Sequence, residues 1–80
     1  MFLQIKVTET KVCKTIGGGS PNTKCVFPFK IKGKIYNACT DYSSTDGAFW
    51  CSTKVDSNGN HISGRKLWGV CGPNCPLEGY

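Results

Sequence analysis

The chain has 80 residues, and its ten lysines and arginines against five acidic residues give a formal net charge of +5. A chain of this length forms one domain and buries too little apolar surface to be stable without further constraint. Six cysteines, with ten glycines and four prolines, indicate a disulfide-rich protein from an oxidising compartment, so we expect it to be secreted and extracellular. No segment has the roughly 20 apolar residues of a membrane-spanning helix, so a membrane span is not expected.

The N-terminal segment, residues 1–12, alternates loosely between apolar and polar side chains, which predicts a short strand. Lys6 interrupts its apolar run too early for a signal peptide, so we expect a mature or excised chain. The stretch IGGGSPN at 16–22 follows, with three glycines, a serine and a proline. This composition predicts a flexible connector between the N-terminal segment and the remainder.

After Cys25 the sequence is a succession of short strands and turns. FKI and KIY flank Lys32 and Gly33 and predict a hairpin. STKV and HIS flank DSNGN, in which Asn58 and Gly59 favour a tight turn. Because no window has useful helical periodicity, we predict a small disulfide-rich, mostly β domain of short antiparallel strands with long loops.

The cysteines do not have the spacing of a metal site. The nearest pair, in CGPNC at 71–75, has three intervening residues in place of the two of a zinc knuckle, and His61 is the single histidine. DSNGN resembles the start of a calcium loop, but Leu67 stands where a bidentate glutamate would be required. No nucleophile elbow accompanies the histidine. We therefore expect no metal, no cofactor and no enzymatic activity.

Two smaller motifs have structural interpretations. In CVFPF, Pro28 suits a turn or an edge strand, and Phe27 and Phe29 fall on one face and are predicted core residues. The lysines of KIKGK, at positions 30, 32 and 34, are predicted to be solvated. Weak binding of heparin or anionic surfaces through Lys30, Lys32 and Lys34 is the alternative, and no nucleic-acid partner is expected.

The order and spacing of cysteines and aromatic residues resemble the fibronectin type II module. The C-x-x-P-F motif is present, followed by seven residues between Ile31 and Cys39 and ten between Cys39 and the Trp-Cys pair. The resemblance runs from Cys25 to Cys71 and rests on Cys25, Pro28, Phe29, Ile31, Tyr36, Cys39, Thr40, Asp46, Gly47, Trp50, Cys51, Trp68, Gly69 and Cys71.

The disulfide pairing follows from this resemblance, since the sequence alone leaves fifteen connectivities open. The family pairs its first cysteine with its third and its second with its fourth, which implies Cys25–Cys51 and Cys39–Cys71. Cys13 and Cys75 flank the module and can bridge if the termini of the domain lie close together. The predicted organisation is an N-terminal extension at 1–12, a module at 13–76 and a C-terminal tail at 77–80.

The resemblance also implies a ligand-binding surface of aromatic side chains. Fibronectin type II modules hold denatured collagen on such a surface, and some bind the choline headgroup of phospholipids. The corresponding residues here are Trp50, Trp68, Tyr36, Tyr42 and Phe49.

This chain departs from the family pattern in three places. Ile31 and Val70 replace aromatic residues of the choline-binding members, which disfavours choline phospholipid binding. Ser44 and Thr45 stand where collagen binders often carry a basic residue. The segment between Cys51 and Cys71 is several residues longer than usual, and its Arg65 and Lys66 either belong to an ordinary solvated loop or replace the missing charge.

Three functions therefore remain open. The first is a secreted, non-enzymatic module that binds collagen, gelatin or other extracellular ligands on its aromatic surface. The second is an accessory or regulatory module of a secreted multidomain protein such as a serine protease zymogen. The third is a free-standing small effector or protease inhibitor that presents the loop DSNGNHISG.

Overall fold

The computed structural model describes residues 13–79, so the predicted strand at 1–12 lies outside the described residues. Among residues 13–79 the structure is built from short strands and turns, and it contains no helix with the length and apolarity to cross a membrane. The strands are β1 Thr15–Gly17, β2 Phe29–Ile31, β3 Lys34–Tyr36, β4 Trp50–Ser52 and β5 Trp68–Cys71. β5 lies between β1 and β4 in one antiparallel sheet, and β2 pairs with β3 in a second. The predicted fold class is confirmed.

The predicted hairpin of β2 and β3 is confirmed, and its turn has the required residues. Lys32 and Gly33 have φ angles of 49° and 85°, the pair of positive values found in two-residue hairpin turns that match strand twist. Phe29 is opposite Tyr36 in the register, and their rings stack with centroids 5.4 Å apart. Ile35, on the other side of the hairpin, is 58% exposed.

The apolar core is small and consists of two rings and two disulfides. Phe29, Cys39 and Cys51 are fully buried and Tyr36 is 5% exposed. Phe27 is partly buried and packs against this cluster, with its ring centroid 6.1 Å from that of Phe29. Complete burial of one such aromatic side chain stabilises the fold by about 1.5–3 kcal/mol, so Phe29 is a principal contributor.

All six cysteines form disulfides: Cys13–Cys75, Cys25–Cys51 and Cys39–Cys71. The last two pairs are those that the family resemblance implied. The bridges are stacked on one another, with 4.0 Å between the Sγ atoms of Cys25 and Cys71. Five of the sulfur atoms lie as close together as metal-binding cysteines would. All of them are in disulfides, however, and only a free thiolate acts as a metal ligand.

The glycine run at 17–19 is closely packed, and the prediction of a flexible connector there is wrong. Gly17 belongs to β1, and Gly18 lies against the indole of Trp68, where a Cβ atom would be 2.7 Å from a ring carbon. A Cβ atom on Gly19 would overlap the carbonyl oxygen of Arg65. Gly18 and Gly19 are therefore required for the close approach of two backbone segments, and Gly18 also for its positive φ of 81°.

The residues after Cys75 form hydrogen bonds to the centre of the module. The amide of Cys39 donates to the carbonyl of Pro76 at 2.9 Å, and the amide of Glu78 donates to the carbonyl of Cys39 at 2.7 Å. The buried Thr40 hydroxyl donates to the Glu78 carboxylate at 2.6 Å, and the Lys34 ammonium lies 3.2 Å from it. The predicted boundary between a module at 13–76 and a tail at 77–80 remains a prediction.

Replacing Glu78 is expected to weaken the acid sensitivity of folding. The hydrogen bond from Thr40 and the interaction with Lys34 lower the pKa of the Glu78 carboxyl. A carboxyl with a lowered folded-state pKa stabilises the fold above its unfolded-state pKa, and this contribution is lost as pH falls through the folded value. The melting temperature should therefore drop less for Glu78→Gln than for the parent between about pH 6 and about pH 3. Equal drops would mean that Glu78 contributes nothing to the pH dependence.

Candidate functional site

An aromatic pocket of about 390 Å³ lies beside the three-stranded sheet. The rings of Tyr42, Trp50 and Trp68 form its walls with His61, and Ala48 and Val70 complete its apolar part. Its rim is formed by residues 43–46. The pocket therefore combines an apolar interior with a polar edge, which is the usual composition of a site for an extended or small ligand.

The register of β4 and β5 brings the two tryptophans together. Trp50 is opposite Val70, and Trp68 lies two residues before Val70, on the same face of β5. The indole rings meet edge to face, with centroids 6.5 Å apart and an interplanar angle of 86°. Edge-to-face contact is a favoured arrangement of aromatic pairs, so the Trp50 and Trp68 rings hold each other in position, and the angle between them forms a notch in the pocket wall.

Trp50 is also fixed from two other directions. Its indole Nε1–H donates to the carbonyl oxygen of Tyr42 at 2.8 Å, and its ring lies 5.6 Å from that of the buried Phe29. The backbone of Trp50 exchanges two hydrogen bonds with Thr40, at 2.8 and 3.0 Å. The ends of the rim loop, residues 41–49, are therefore held together, and Tyr42 is presented at the pocket.

The rim carries one negative charge and no basic residue. The Asp46 carboxylate accepts hydrogen bonds from the Ser44 hydroxyl and the Ala48 amide, both at 3.0 Å. These bonds lower the pKa of Asp46, the Ala48 amide having the larger effect. Asp46 is thus charged and oriented at neutral pH, while the neutral Ser44 and Thr45 lie beside it.

The predicted site residues fall into two groups. Trp50, Trp68 and Tyr42 line the pocket. Tyr36 does not; it is buried below, 6.4 Å from the ring of Tyr42, and its contact with Phe29 places it in the core. Phe49 also lies outside the lining and packs partly buried against the core. The ligand-binding role of each residue remains a prediction.

His61 lines the pocket, whereas sequence analysis considered it only as a metal ligand or catalytic histidine and assigned it no role in ligand binding. Its ring lies 5.2 Å from that of Trp50, and its Nδ1 is 2.8 Å from the hydroxyl of the fully buried Ser52. Burial lowers the pKa of the His61 imidazole. The turn at 56–60 is a local signal that the chain folds back, but the position of His61 also depends on hydrogen bonds between its segment and Lys30.

The long segment after Cys51 positions His61 by docking on β2. The amide of Lys30 donates to the carbonyl of Gly59, and the amide of His61 donates to the carbonyl of Lys30, both at 2.9 Å. Asp56 stabilises the turn by accepting from the amides of Asn58 and Asn60, each at 2.9 Å. This segment thus contributes His61 to one wall of the pocket.

The basic residues lie away from the pocket. Arg65 and Lys66 are exposed and border a separate shallow depression next to Gly19. Lys34 is paired with Glu78, and its ammonium lies 5.0 Å from the centre of the Tyr36 ring. Lys32 is exposed in the hairpin turn. Binding of heparin or anionic surfaces through Lys30, Lys32 and Lys34 remains a prediction.

Comparison with known proteins decides the family. The sequence matches the family model of the fibronectin type II domain over residues 25–71, more than half of the chain. This chain belongs to the fibronectin type II domain family. The disulfides of this fibronectin type II domain and its short antiparallel strands agree with that assignment.

Two relatives show where such a domain occurs. The chain is 39% identical over 66 residues to the 72 kDa type IV collagenase of Gallus gallus, a match that covers 82% of this chain and 9% of that protein. It is 39% identical over 64 residues to matrix metalloproteinase-9 of Canis lupus familiaris, covering 80% of this chain and 8% of the relative. The chain therefore spans less than a tenth of either relative, and what it shares with them is the fibronectin type II part.

Proposed function

We propose that this fibronectin type II domain is a secreted, extracellular, non-enzymatic binding module that holds an extended collagen-like or gelatin segment in its aromatic pocket. The observation that carries the proposal is the preformed notch between Trp50 and Trp68. The similarity to a protein named as a type IV collagenase supports a collagen-like ligand. Three disulfides support an oxidising, extracellular location.

The chemistry of the pocket suits a segment rich in proline and glycine. Such segments adopt the extended polyproline II conformation, which presents rings to one side and leaves its backbone free to form hydrogen bonds. Prolyl rings pack on aromatic faces without a charge partner, and aromatic-lined grooves recognise them in other binding domains. A pocket of about 390 Å³ takes one or two such rings, so affinity for a longer segment requires contacts along the rim as well.

Truncating Trp68 is expected to reduce gelatin binding strongly. Trp68→Ala removes one side of the notch, and loss of a central aromatic anchor costs about 2 kcal/mol or more, roughly a thirtyfold loss of affinity. The measurement is a fluorescence or NMR titration of the oxidised domain with soluble gelatin. Following the indole N–H signal of Trp50 identifies the pocket as the site that responds.

Two further variants separate a local loss from a folding defect. Tyr42→Ala alters the pocket at a residue that is 39% exposed, so it should weaken binding while the amide spectrum stays dispersed. Ile35→Ala, at an exposed position outside the pocket, should bind like the parent. Unchanged gelatin affinity in both pocket variants would rule out the notch as the binding site. Phosphorylcholine, titrated in parallel, is expected to leave the indole signals in place.

A second candidate function is that of an accessory module within a larger secreted proteinase. It is favoured by the two relatives, one named as a collagenase and the other as a metalloproteinase, of which the matched part is 9% and 8%. In that role the pocket positions substrate for a separate catalytic domain. The sequence of the full gene product tests it: a proteinase domain in the same chain supports the role, and its absence contradicts it.

A further inference from the structure

The hydrogen bonds around Ser52 fix the tautomer of His61. The Ser52 hydroxyl lies 2.8 Å from the carbonyl oxygen of Lys54 and 2.8 Å from Nδ1 of His61. A carbonyl oxygen can only accept, so the single hydroxyl proton of Ser52 goes to Lys54. The hydroxyl oxygen then accepts from Nδ1–H of His61. The neutral imidazole therefore has its proton on Nδ1 and a lone pair on Nε2.

Nε2 is the free polar atom of this ring. No hydrogen-bond partner for it occurs among residues 13–79, whereas the ring itself lines the aromatic pocket. The neighbouring indole N–H of Trp50 is already donated to Tyr42, and that group is a donor in any case. His61 thus places a hydrogen-bond acceptor beside the apolar walls, 5.2 Å from the centre of the Trp50 ring.

We propose that His61 is a specificity-determining residue of the pocket, whose Nε2 accepts a hydrogen bond from an N–H or O–H group of the bound segment. This inference rests on the proposed function of the pocket as a binding site for a collagen-like segment. In such a segment the donor is either a backbone amide or the hydroxyl of a hydroxylated proline. A bound chain with a donor at this point is preferred to an isosteric chain without one, because the acceptor would otherwise be left unpaired in a half-buried site.

The same geometry makes binding depend on pH. Protonation turns Nε2 from an acceptor into a donor, so the hydrogen bond to the ligand is lost. The titratable side chains on the elements around His61 are Lys30 on β2, Lys54 and Asp56 on its own segment, and Asp41, Tyr42 and Asp46 on the rim loop. Compared with these side chains, the His61 imidazole is the group that ordinarily changes charge between about pH 5 and about pH 7.5. Burial lowers the pKa of His61, so the acceptor form predominates at neutral pH.

The test uses His61→Asn, in which a side-chain amide can still donate to Ser52 while the acceptor at the position of Nε2 is removed. Affinity is measured at about pH 7.5 and about pH 5 for two short peptides, Gly-Pro-Pro and Gly-Pro-hydroxyproline repeats too short to form triple helices. The parent should bind more weakly at the lower pH. His61→Asn should bind about fivefold to tenfold more weakly than the parent at the higher pH and should lose the pH dependence.

The outcomes distinguish this inference from the proposed function. A loss in His61→Asn confined to the hydroxylated peptide identifies the hydroxyl as donor, and equal losses for both peptides identify the backbone amide. If His61→Asn binds like the parent at both pH values, the acceptor role is overturned while the pocket remains the site. If the parent binds neither peptide, the proposed function itself fails. Independently of any ligand, nitrogen chemical shifts that place the proton of neutral His61 on Nε2 overturn the inference.

Discussion

The double variant Cys39→Ala/Cys71→Ala is expected to lose most or all of its folded population at room temperature. Removing a cross-link between residues 32 positions apart costs about 3–4 kcal/mol in the chain-entropy model. Cys39 is fully buried, so alanine there also leaves a void in a core of four buried residues. A domain of this size has roughly 3–5 kcal/mol of stability in total, which is less than the sum of these losses.

The matched comparison is Cys13→Ala/Cys75→Ala, measured by denaturant unfolding with tryptophan fluorescence. This bridge spans 62 positions, so chain entropy alone makes its removal about 0.6 kcal/mol more costly than that of Cys39–Cys71. Both of its cysteines are only partly buried, at the edge of the core. We expect the Cys39–Cys71 pair to be the more destabilising loss because core packing outweighs that small difference. The opposite order would show that loop closure dominates.

Gly19→Ala is expected to destabilise the domain by about 3 kcal/mol or more, at the upper end of the cost of overpacking. The new Cβ atom would overlap the carbonyl oxygen of Arg65 and lie 2.9 Å from Nε1 of Trp68. A backbone carbonyl cannot rotate away as a side chain can, so one of the two segments has to move. Because the Trp68 indole packs directly against Gly18 and Gly19, binding at the pocket should fall together with stability.

Gly17→Ala, two residues earlier, is the control. Its Cβ atom would lie 3.9 Å from the nearest atom, on Val70, which is an ordinary contact. We expect a change within about 1 kcal/mol, measured by the same denaturant titration. If Gly19→Ala is as stable as Gly17→Ala, the close approach of the two segments does not occur in solution.

The sequence predicted the local features of the fold better than the contacts between distant segments. The hairpin at Lys32 and Gly33 was predictable because two consecutive residues there have the chemistry of the turn. The packing of Gly18 and Gly19 against residues 65–68 was not, because a glycine run has the same composition whether it is flexible or closely packed. Only the three-dimensional arrangement distinguishes the two.

The candidate site shows the same division. Trp50 and Trp68 were predictable because both belong to the family pattern: Trp50 directly precedes Cys51, and Trp68 lies three residues before Cys71. Tyr36 could have been assigned to the core from the hairpin register, which places it opposite Phe29. His61 could not have been placed from local pattern alone, since its position depends on hydrogen bonds between its segment and Lys30 on a distant strand.

The Cys13–Cys75 bridge also determines how the domain responds to mechanical load. Its two Cα atoms are 4.6 Å apart, so the chain enters and leaves the domain at nearly one point. Tension applied to the polypeptide on either side would first break the hydrogen bonds of Pro76 and Glu78 to Cys39 and then reach a covalent cross-link. The Cys13–Cys75 disulfide then carries the tension between the two ends of the domain, so the tension does not act through β4, β5 or the pocket. Under the proposed function, tension applied along the polypeptide would therefore leave a ligand between Trp50 and Trp68 in place.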